Sequence, residues 1–381
     1  MNIVLTTDYF PPHVGGGVER VTFHVASELI RLGHKVAVVT LNTCRARTCE
    51  MLNGIRVYRA NLVELTRTLG MQSAISFEAL KLIHEAYCKE AADILHANNL
   101  FFCTTIAACA SKRPLQTRLV TTLHVGSTSE LEGGIRLLAA LYEKSIGRWV
   151  LNKSDHVVAV SQAVKRYAES LGMPSSKISV VPNAVDLQDF RPDARESELD
   201  GTVRVAFIGR LISNKGPQYL VEAAPRILRD FPGVQFLLVG EGPMFEQLRR
   251  RAEHLGLRNH FRFLGVVPSV SQFLKNCDIL VRPSLTEGMP LTVLEAMACG
   301  VPTVASKVGG TPEILLHGET GFLVEPKNID QLSFYISRLV GDDELRTVMG
   351  KRARSLIEKY CSWDEVARKM SRIYDSVLER S

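Results

Sequence analysis

Short apolar runs alternate with helical apolar patterns along the first half of the chain. Residues 2–7 form an apolar run, residues 18–32 repeat apolar positions at helical spacing, and residues 35–40 form a β-branched run. This order predicts a βαβ unit. Further apolar runs separated by helical stretches extend it to a parallel sheet covered by helices, at residues 93–96, 118–123 and 155–160.

The alternation of strand-like and helical patterns stops between Pro182 and Gly201, where the composition is typical of a linker, and then begins again. The second series of strand-like runs lies at residues 203–208, 235–239, 262–264, 278–281, 302–305 and 321–324. We therefore predict an N-terminal domain of residues 1–190, a C-terminal domain of residues 191–360, and a helix in residues 361–381 that packs back on the N-terminal domain. Both domains are predicted to be doubly wound parallel α/β sheets, Rossmann-like and facing each other across a cleft that binds the ligand.

Composition and charge exclude several classes of protein. The chain has 381 residues, 46% of them hydrophobic, and a net charge of +6 from 46 Lys and Arg against 40 Asp and Glu. This small excess indicates no nucleic-acid domain. No apolar run is long enough to span a bilayer, and residues 1–5 carry no basic leader, so we expect a cytoplasmic protein. The cysteines form no CxxC pair, and Cys44 and Cys49 lack partners nearby, so we expect no metal site.

Three glycines follow the first predicted strand. Gly15, Gly16 and Gly17 precede a helix, so backbone N–H groups there could approach an anion. Their spacing departs from the GxGxxG fingerprint, which argues against NAD. A plain turn is the alternative. Glu19 either binds a hydroxyl of an acceptor or simply stabilises the positive end of the helix dipole.

A loop with two cations follows the first strand of the second domain. Its sequence is GRLISNKG, residues 209–216, with Arg210 and Lys215 on a segment that enters a helix. The planar guanidinium and the mobile ammonium suit a diphosphate, because each charge-assisted hydrogen bond is worth about 1.5–3 kcal/mol. The alternative is a solvated turn with two ordinary surface cations.

Two glutamates eight residues apart flank a helix start in the segment TEGMPLTVLEAM, residues 286–297. Glu287 follows a strand, and Glu295 lies on the helix that Pro290 opens. The backbone N–H groups of residues 288–291 then form an anion site of phosphate size, and the two carboxylates can accept hydrogen bonds from hydroxyls of a sugar and a ribose. The alternative places Glu295 in solvent, although its apolar neighbours make an unpaired carboxylate there costly.

Several motifs occur together in one order: GGGVE near the start, VVPNAVD at residues 180–186, GRLISNKG, EGMPLTVLE with AMACGVPTVAS, and VGGTPE at residues 308–313. Together they resemble the retaining GT-B glycosyltransferases of the family 4 type, also called glycosyl transferases group 1. The resemblance covers essentially the whole chain. It implies the GT-B fold, with two facing Rossmann-like domains, and a nucleotide sugar as the donor.

Carried over by position, the resemblance implies contacts to the nucleotide and its phosphates in the C-terminal domain. Arg210 and Lys215 would hold the donor diphosphate, with a backbone contact from Leu291 beside Pro290. The segment that contains Val267 would read the edge of the nucleobase.

The resemblance also implies contacts to the two sugars of the donor. Glu295 would bind the ribose. Glu287, with the backbone of Gly288 and Met289, would bind hydroxyls of the transferred sugar.

In the N-terminal domain, the resemblance implies that Gly16 lets the glycine loop approach the donor and that Gly17 and Glu19 lie on the acceptor side. His124, directly after a predicted strand, matches the histidine that such enzymes place beside the transferred sugar; taken alone, it could equally be a satisfied histidine at a strand end. The glycine loop has one glycine more than the usual GGxE, which leaves the role of Glu19 open. The catalytic set implied is Glu287, His124, Arg210 and Lys215.

The implied activity is retaining transfer of a sugar from a UDP- or GDP-sugar to a hydroxyl of a glycan or lipid-linked acceptor. Neither cleft-forming region contains Asp-x-Asp, so Arg210 and Lys215 would replace a metal ion, and no cofactor is expected. Two alternatives stay open: a nucleotide-sugar 2-epimerase of the same architecture, and a catalytically silent subunit that binds nucleotide sugars. The sequence leaves the oligomeric state open.

The helical segment 135–153 carries two stripes. Basic residues recur every four or eight positions at Arg136, Lys144 and Arg148, beside an apolar stripe of Leu138, Leu141, Tyr142 and Trp149. This pattern fits a surface helix that touches anionic lipid, which would make the protein peripheral on the inner face of the membrane. It fits equally a helix that packs on its own domain.

Overall fold

The structure is a computed structural model of the chain. It describes residues 1–13, 16–64, 74–126, 134–192, 201–360 and 362–379. The chain divides into two compact units: the first joins Met1–Asn183 to Trp363–Ser381, and the second is Ala184–Ser362. The predicted domain limits at residues 190 and 360 lie close to these divisions.

The first unit is built on one large, mostly parallel sheet. Its described strands are β1 (Asn2–Thr6), β2 (Lys35–Leu41), β3 (Cys49–Leu52), β4 (Ile55–Ala60), β5 (Val63–Glu64), β6 (Ala74–Ile75), β7 (Ile94–Asn98), β8 (Arg118–Leu123), β9 (His156–Ala159) and β10 (Ile178–Val180). Eight of them form the order β10-β9-β8-β7-β1-β2-β4-β3, and β5 pairs with β6 separately. Only the edge pair β3 and β4 is antiparallel within the large sheet. The apolar pattern does not predict this hairpin, because β3 lies at the edge and buries no residue.

Amphipathic helices cover this sheet. They are α1 (Val18–Arg31), α2 (Ala79–Lys89), α3 (Cys103–Leu115), α4 (Gly134–Tyr142), α5 (Arg148–Lys153) and α6 (Gln162–Ser170), with a π-helical turn at Glu143–Gly147 and a 3₁₀ turn at Ser175–Lys177. In α1 the buried positions Val21, Val25 and Leu29 recur every four residues, which is the spacing of one helix face. The helix predicted at residues 18–32 is therefore confirmed.

The start of α3 is fixed by a buried carboxylate that follows β1. Asp8 accepts hydrogen bonds from the backbone N–H groups of Cys103 at 3.0 Å and Thr104 at 2.9 Å, and from the Thr104 hydroxyl at 2.8 Å. Burial raises the pKa of Asp8 to about 6, although these hydrogen bonds act in the opposite direction. Asp8 thus holds the loop after β1 against the segment that follows β7.

The last helix, α14 (Trp363–Glu379), belongs to the first unit. The ring of Trp363 stacks on His24 of α1 with centroids 4.9 Å apart. Tyr374 is fully buried, and its hydroxyl lies 2.6 Å from Nδ1 of His96 on β7. Since α14 fills part of this core, the first unit is complete only when both ends of the chain are present.

The second unit is a fully parallel sheet within its described residues. Its strands are β11 (Arg204–Ile208), β12 (Gln235–Val239), β13 (Phe261–Gly265), β14 (Ile279–Arg282), β15 (Thr303–Ser306) and β16 (Gly321–Val324). Their order is β13-β12-β11-β14-β15-β16. This is the doubly wound arrangement, so the predicted α/β class is confirmed for both units.

The helices of the second unit lie between these strands and after them. They are α7 (Pro217–Asp230), α8 (Phe245–His254), α9 (Val270–Lys275), α10 (Leu291–Ala298), α11 (Thr311–Ile314), α12 (Ile329–Val340) and α13 (Asp343–Tyr360), with 3₁₀ turns at Ser213–Lys215 and Arg258–His260. The predicted helix at Pro290 starts one residue later, with Pro290 as its N-cap. None of the helices in the described ranges is both long and apolar enough to cross a bilayer.

Each sheet reverses its winding direction at one point. In the first unit this point lies between β1 and β7, and in the second between β11 and β14. Doubly wound sheets bind ligands outside the carboxyl ends of the strands at such points. The loops that follow these strands are therefore where a site is expected in each unit.

Candidate functional site

Backbone segments approach one another very closely at the carboxyl edge of the second sheet. Gly216 has φ +76°, and a Cβ atom there would overlap the carbonyl group of Pro283. Gly309 has φ +54°, and a Cβ atom there would overlap the carbonyl group of Glu287. Only glycine fits both the conformation and the space. The loops after β11, β14 and β15 are thereby held together without intervening side chains.

A buried carboxylate lies in the middle of these loops. Glu287 is 7% exposed, and its Oε1 accepts from Nε of Arg282 at 2.9 Å and from the Ser284 hydroxyl at 2.8 Å. Nη2 of Arg282 forms an ion pair with the same oxygen at 2.8 Å. Oε2 of Glu287 accepts from Nζ of Lys215 at 2.9 Å. We call Lys215, Arg282, Ser284 and Glu287 the glutamate cluster. Because two donors and an ion pair occupy Oε1 and one donor occupies Oε2, the carboxylate keeps an acceptor position on Oε2 with respect to the described residues.

The glutamate cluster contains more positive than negative charge. Burial alone would raise the pKa of Glu287, but Arg282 and Lys215 outweigh it and hold that pKa below its usual value. Burial lowers the pKa of Lys215 against the pull of Glu287, and the nearby cations Arg282 and Arg210 act in the same direction as burial. One carboxylate thus faces several cations, and a bound anion would balance the excess.

The N-terminus of α10 adds a second source of positive potential. Its N-cap, Pro290, makes no side-chain capping hydrogen bond, and its carbonyl oxygen accepts from the N–H groups of Val293 and Leu294. The preceding N–H groups, of Leu291 and Thr292, therefore have no acceptor from the cap or from within the helix. Gly288, Met289 and Leu291 are buried around this helix start, and Gly288 accepts a hydrogen bond from the Gly310 N–H group. The geometry is that of an anion site at a helix N-terminus.

The remaining predicted donor residues lie in the same unit. Arg210 follows β11 and is half-buried, and Val267 follows β13 and is half-buried. Glu295 on α10 is 3% exposed, so the alternative that it faces solvent is wrong. The structure therefore brings Lys215 and Glu287 into direct contact, with Arg210 near them.

In the first unit, the predicted glycine loop is fixed by Glu19. The Glu19 carboxylate is buried and accepts a hydrogen bond from the backbone N–H group of Gly16. Gly17 is the N-cap of α1. Glu19 thus contacts the start of its own helix, as the helix-dipole alternative expects, and its role toward an acceptor stays a prediction. Gly15 lies outside the described residues.

His124 follows β8 and is buried at the carboxyl edge of the first sheet. Burial lowers its pKa to about 4, so the imidazole is neutral near pH 7. Its Nε2 lies 3.2 Å from Oδ1 of Asn98. With His96, Asn98, Thr122 and Asn183, it lines a small cavity of about 20 Å³, which is room for about one water molecule.

Sequence reasoning missed two polar residues of these sites. Arg282 ends the apolar run of β14, and a charge in such a run requires a buried partner, which Glu287 supplies five residues later. Asn98 ends β7, and the signal that could have found it is a polar side chain at the end of a buried strand beside the switch point. In the part of the chain that the structure describes, no group of three or more His, Cys, Asp and Glu residues could hold a metal ion.

Family models and similar proteins both indicate that the chain is a glycosyltransferase. Residues 15–189 match Glycosyltransferase Family 4, and residues 190–356 match Glycosyl transferases group 1. One component of the phosphatidylinositol N-acetylglucosaminyltransferase of Arabidopsis thaliana is 28% identical over 387 residues, which cover 100% of this chain and 83% of that protein. The GDP-mannose-dependent alpha-(1-6)-phosphatidylinositol monomannoside mannosyltransferase of Mycobacterium tuberculosis (strain CDC 1551 / Oshkosh) is 31% identical over 271 residues, 64% of this chain and 70% of that protein.

Among solved structures, sucrose-phosphate synthase from Thermosynechococcus elongatus superposes with a TM-score of 0.83 at 22% identity and full coverage of both chains. The fold and the matched families define the class as a glycosyltransferase of GT-B architecture. The chain belongs to glycosyltransferase family 4.

We expect Arg282→Met to destabilise the protein strongly, because the buried Glu287 carboxylate loses a hydrogen bond and its ion pair with the guanidinium. The free energy of unfolding should fall by about 3–5 kcal/mol at pH 7. The wild-type pKa of Glu287 is below its usual 4.5, so its contribution to stability is present above pH 4.5 and is lost as the pH falls toward the folded-state pKa. In the variant this acid-dependent loss should shrink, which urea unfolding between pH 3 and pH 7 measures.

The matched control is Arg251→Met, which breaks the partly exposed pair with Glu222 in the same unit. This variant should lower the free energy of unfolding by no more than about 1 kcal/mol. Equal losses of stability in the two variants would contradict the buried-charge interpretation.

Proposed function

We propose that this glycosyltransferase moves a sugar from a UDP- or GDP-sugar to a hydroxyl group of a lipid-linked acceptor, with retention at the anomeric carbon and without a metal ion. The observation that carries the proposal is the excess of buried positive charge in the glutamate cluster, where Lys215 and Arg282 face the single carboxylate of Glu287. A nucleoside diphosphate supplies the missing negative charge.

In this proposal the diphosphate binds to the cations and the helix start of the second unit. Lys215 uses one of its three N–H groups for Glu287, so the other two can donate to phosphate oxygens. Arg210 and the backbone N–H group of Leu291 complete the diphosphate contacts. These groups would do the work that a divalent cation does in other transferases.

The sugar and the nucleoside bind around the diphosphate. Glu287 accepts a hydrogen bond from a hydroxyl of the transferred sugar at the remaining position on Oε2. Glu295 accepts from the ribose, and the backbone around Val267 contacts the nucleobase. His124 contacts a sugar hydroxyl from the first unit.

The chemical step needs no protein nucleophile. The bond between the anomeric carbon and the β-phosphate oxygen breaks, and the acceptor oxygen bonds to the same face of that carbon. The leaving phosphate oxygen takes the proton of the acceptor hydroxyl. Cations and helix N–H groups stabilise the charge that develops on the diphosphate, and removing one such donor in other enzymes costs about 10²–10³ in rate.

A lipid-linked acceptor is supported by one exposed face of the first unit. Leu137, Leu138 and Leu141 of α4 are 66%, 67% and 56% exposed, and the exposed cations Lys144 and Arg148 follow on the same helical segment. We call these five residues the leucine face. Apolar side chains beside cations are typical of a helix that lies in an anionic lipid surface.

Other residues of this segment pack on their own unit, as the alternative in the sequence expects. The Tyr142 ring stacks on Phe101, and its hydroxyl donates to the carbonyl oxygen of Leu100 at 3.0 Å. The Arg136 side chain lies outside the described residues. The names of these two relatives refer to phosphatidylinositol and its mannoside, which also supports a lipid acceptor. A lipid acceptor and the leucine face together favour a peripheral position on the inner face of a membrane.

Incubation with UDP-, GDP- and ADP-sugars, with and without a phosphatidylinositol acceptor, tests the activity. The proposal expects a glycosylated lipid only when both substrates are present. Epimerisation of the donor without acceptor would identify a 2-epimerase, and binding without any turnover would identify a silent subunit. Thermal shifts rank the nucleotides, because a ligand at 100 times its Kd adds about 2.7 kcal/mol to the free energy of unfolding.

We expect Glu287→Ala to abolish transfer while nucleotide binding persists. The variant removes the acceptor for the sugar hydroxyl but leaves Lys215 and Arg210 to hold the diphosphate. Transfer rates and the thermal shift with the best nucleoside diphosphate measure the two effects separately.

Glu287→Gln, which keeps the side-chain volume, guards against misfolding, and Glu222→Ala removes a partly exposed carboxylate of the same unit as a control. Transfer by Glu287→Ala at the wild-type rate would remove this residue from the site.

We expect substitution of Leu137, Leu138 and Leu141 by serine to weaken binding to vesicles of phosphatidylcholine and phosphatidylglycerol by at least about tenfold, because burial of apolar side chains drives such binding. Wild-type binding should also fall as salt rises, since the cations of the leucine face contribute. Vesicle flotation measures both effects.

The control is Phe334→Ser in the second unit, which removes a comparably exposed apolar side chain away from the leucine face. Vesicle binding that is absent in the wild type at every salt concentration, or equal in the triple variant, would refute the membrane contact.

A further inference from the structure

The side chain of Asn98 connects the ends of three neighbouring strands in the first unit. Asn98 ends β7 and donates from Nδ2 to the carbonyl oxygen of Thr6, at the end of β1, over 3.2 Å. Its Oδ1 lies 3.2 Å from Nε2 of His124, which follows β8. All three residues are buried. None of these contacts involves the residues of the second unit that the proposed donor site uses.

This connection assigns the proton on the His124 ring. The peptide carbonyl of Thr6 can only accept a hydrogen bond, so the amide nitrogen of Asn98 must face it and the amide oxygen must face His124. An amide oxygen also only accepts. Nε2 of His124 must therefore carry a hydrogen, and because the buried imidazole is neutral near pH 7, Nδ1 carries none.

The contacts of a second histidine in the same cavity do not decide which of its ring nitrogens carries the hydrogen. His96, also on β7, has Nε2 2.7 Å from the Thr122 hydroxyl and Nδ1 2.6 Å from the Tyr374 hydroxyl. A hydroxyl can donate or accept, so both tautomers of His96 are satisfied. His124 differs, because its one described partner accepts only, and Nδ1 has no hydrogen-bond partner within the described residues.

We propose that Asn98 is a positioning residue that holds His124 as the Nε2–H tautomer, so that Nδ1 accepts a hydrogen bond from a hydroxyl group of a bound sugar. The identity of the ligand rests on the proposed function, whereas the tautomer rests on the contacts of Asn98 alone. An Nδ1 that only accepts selects a hydroxyl that donates. It therefore discriminates against the same sugar in deoxy or O-methyl form at that position.

The tautomer is measured directly in protein labelled with ¹⁵N-histidine, by two-bond correlation of ring nitrogens with ring carbon-bound hydrogens. Wild-type His124 should show Nε2 protonated and Nδ1 unprotonated in the absence of substrate. Asn98→Leu, which keeps the approximate size but neither donates nor accepts, should show a mixture of tautomers. The control Thr122→Val removes a partner of His96 in the same cavity and should leave the His124 signals unchanged.

Steady-state kinetics test whether the His124 tautomer acts on the bound sugar. We expect kcat of Asn98→Leu to fall about tenfold or more, with a smaller change in KM for the donor, because the lost interaction is with the sugar and not with the nucleotide. Thr122→Val should stay within about twofold of the wild type. In a series of donors and acceptors that each lack one sugar hydroxyl, one compound should slow the wild type by a similar factor. The same compound should not slow Asn98→Leu any further.

The outcomes separate the two proposals. A wild-type ring protonated on Nδ1 overturns the assignment even if Asn98→Leu does not fold. An unchanged tautomer or unchanged kcat in folded Asn98→Leu overturns the positioning role while transfer itself persists. Absence of transfer by the wild type with every nucleotide sugar overturns the proposed function, and with it the sugar contact, whatever the state of the ring.

Discussion

A carboxylate can stay ionised inside a protein only when cations and hydrogen-bond donors are held against it, and this requirement organises the second unit. Arg282 at the end of β14 and Lys215 in the loop after β11 both form ion pairs with Glu287. Arg282 in turn donates from Nη1 to the carbonyl oxygen of Ile208 at 2.7 Å, which ties the two strands of the switch point together. The positive charge of the candidate site is therefore also part of the scaffold that supports the site.

The two units use one topology for different chemistry. At its switch point the second unit collects charge around a helix N-terminus. The first unit collects neutral groups instead: an amide at Asn98 and two imidazoles whose pKa values burial lowers to about 3 for His96 and about 4 for His124. Charged groups suit the phosphates of a donor, and neutral buried groups suit hydroxyls, whose recognition depends on which atom donates. This division follows from the side chains at the strand ends and not from the fold.

Much of the fold and part of the site could be predicted from the sequence. Apolar periodicity predicted the parallel strands, because both faces of a parallel sheet are buried and the runs are therefore continuous. It missed the hairpin of β3 and β4, which lies at the edge of the sheet. The contact between Lys215 and Glu287 could not be read from a pattern, since 72 residues separate them and only the fold brings them together. Likewise, Asn98 and Thr6 lie 92 residues apart, so the orientation of the amide depends on tertiary structure.

The return of the last helix to the first unit has a consequence for biosynthesis. The second unit is one continuous segment, so all of its residues have been synthesised while Trp363–Glu379 is still being added. The first unit cannot bury Tyr374 beside His96 until this part of α14 has been synthesised and has left the ribosome. A nascent molecule thus acquires all residues of its second unit before those of α14, and a chain that terminates before Trp363 would keep a complete second unit while the core of its first unit stays open.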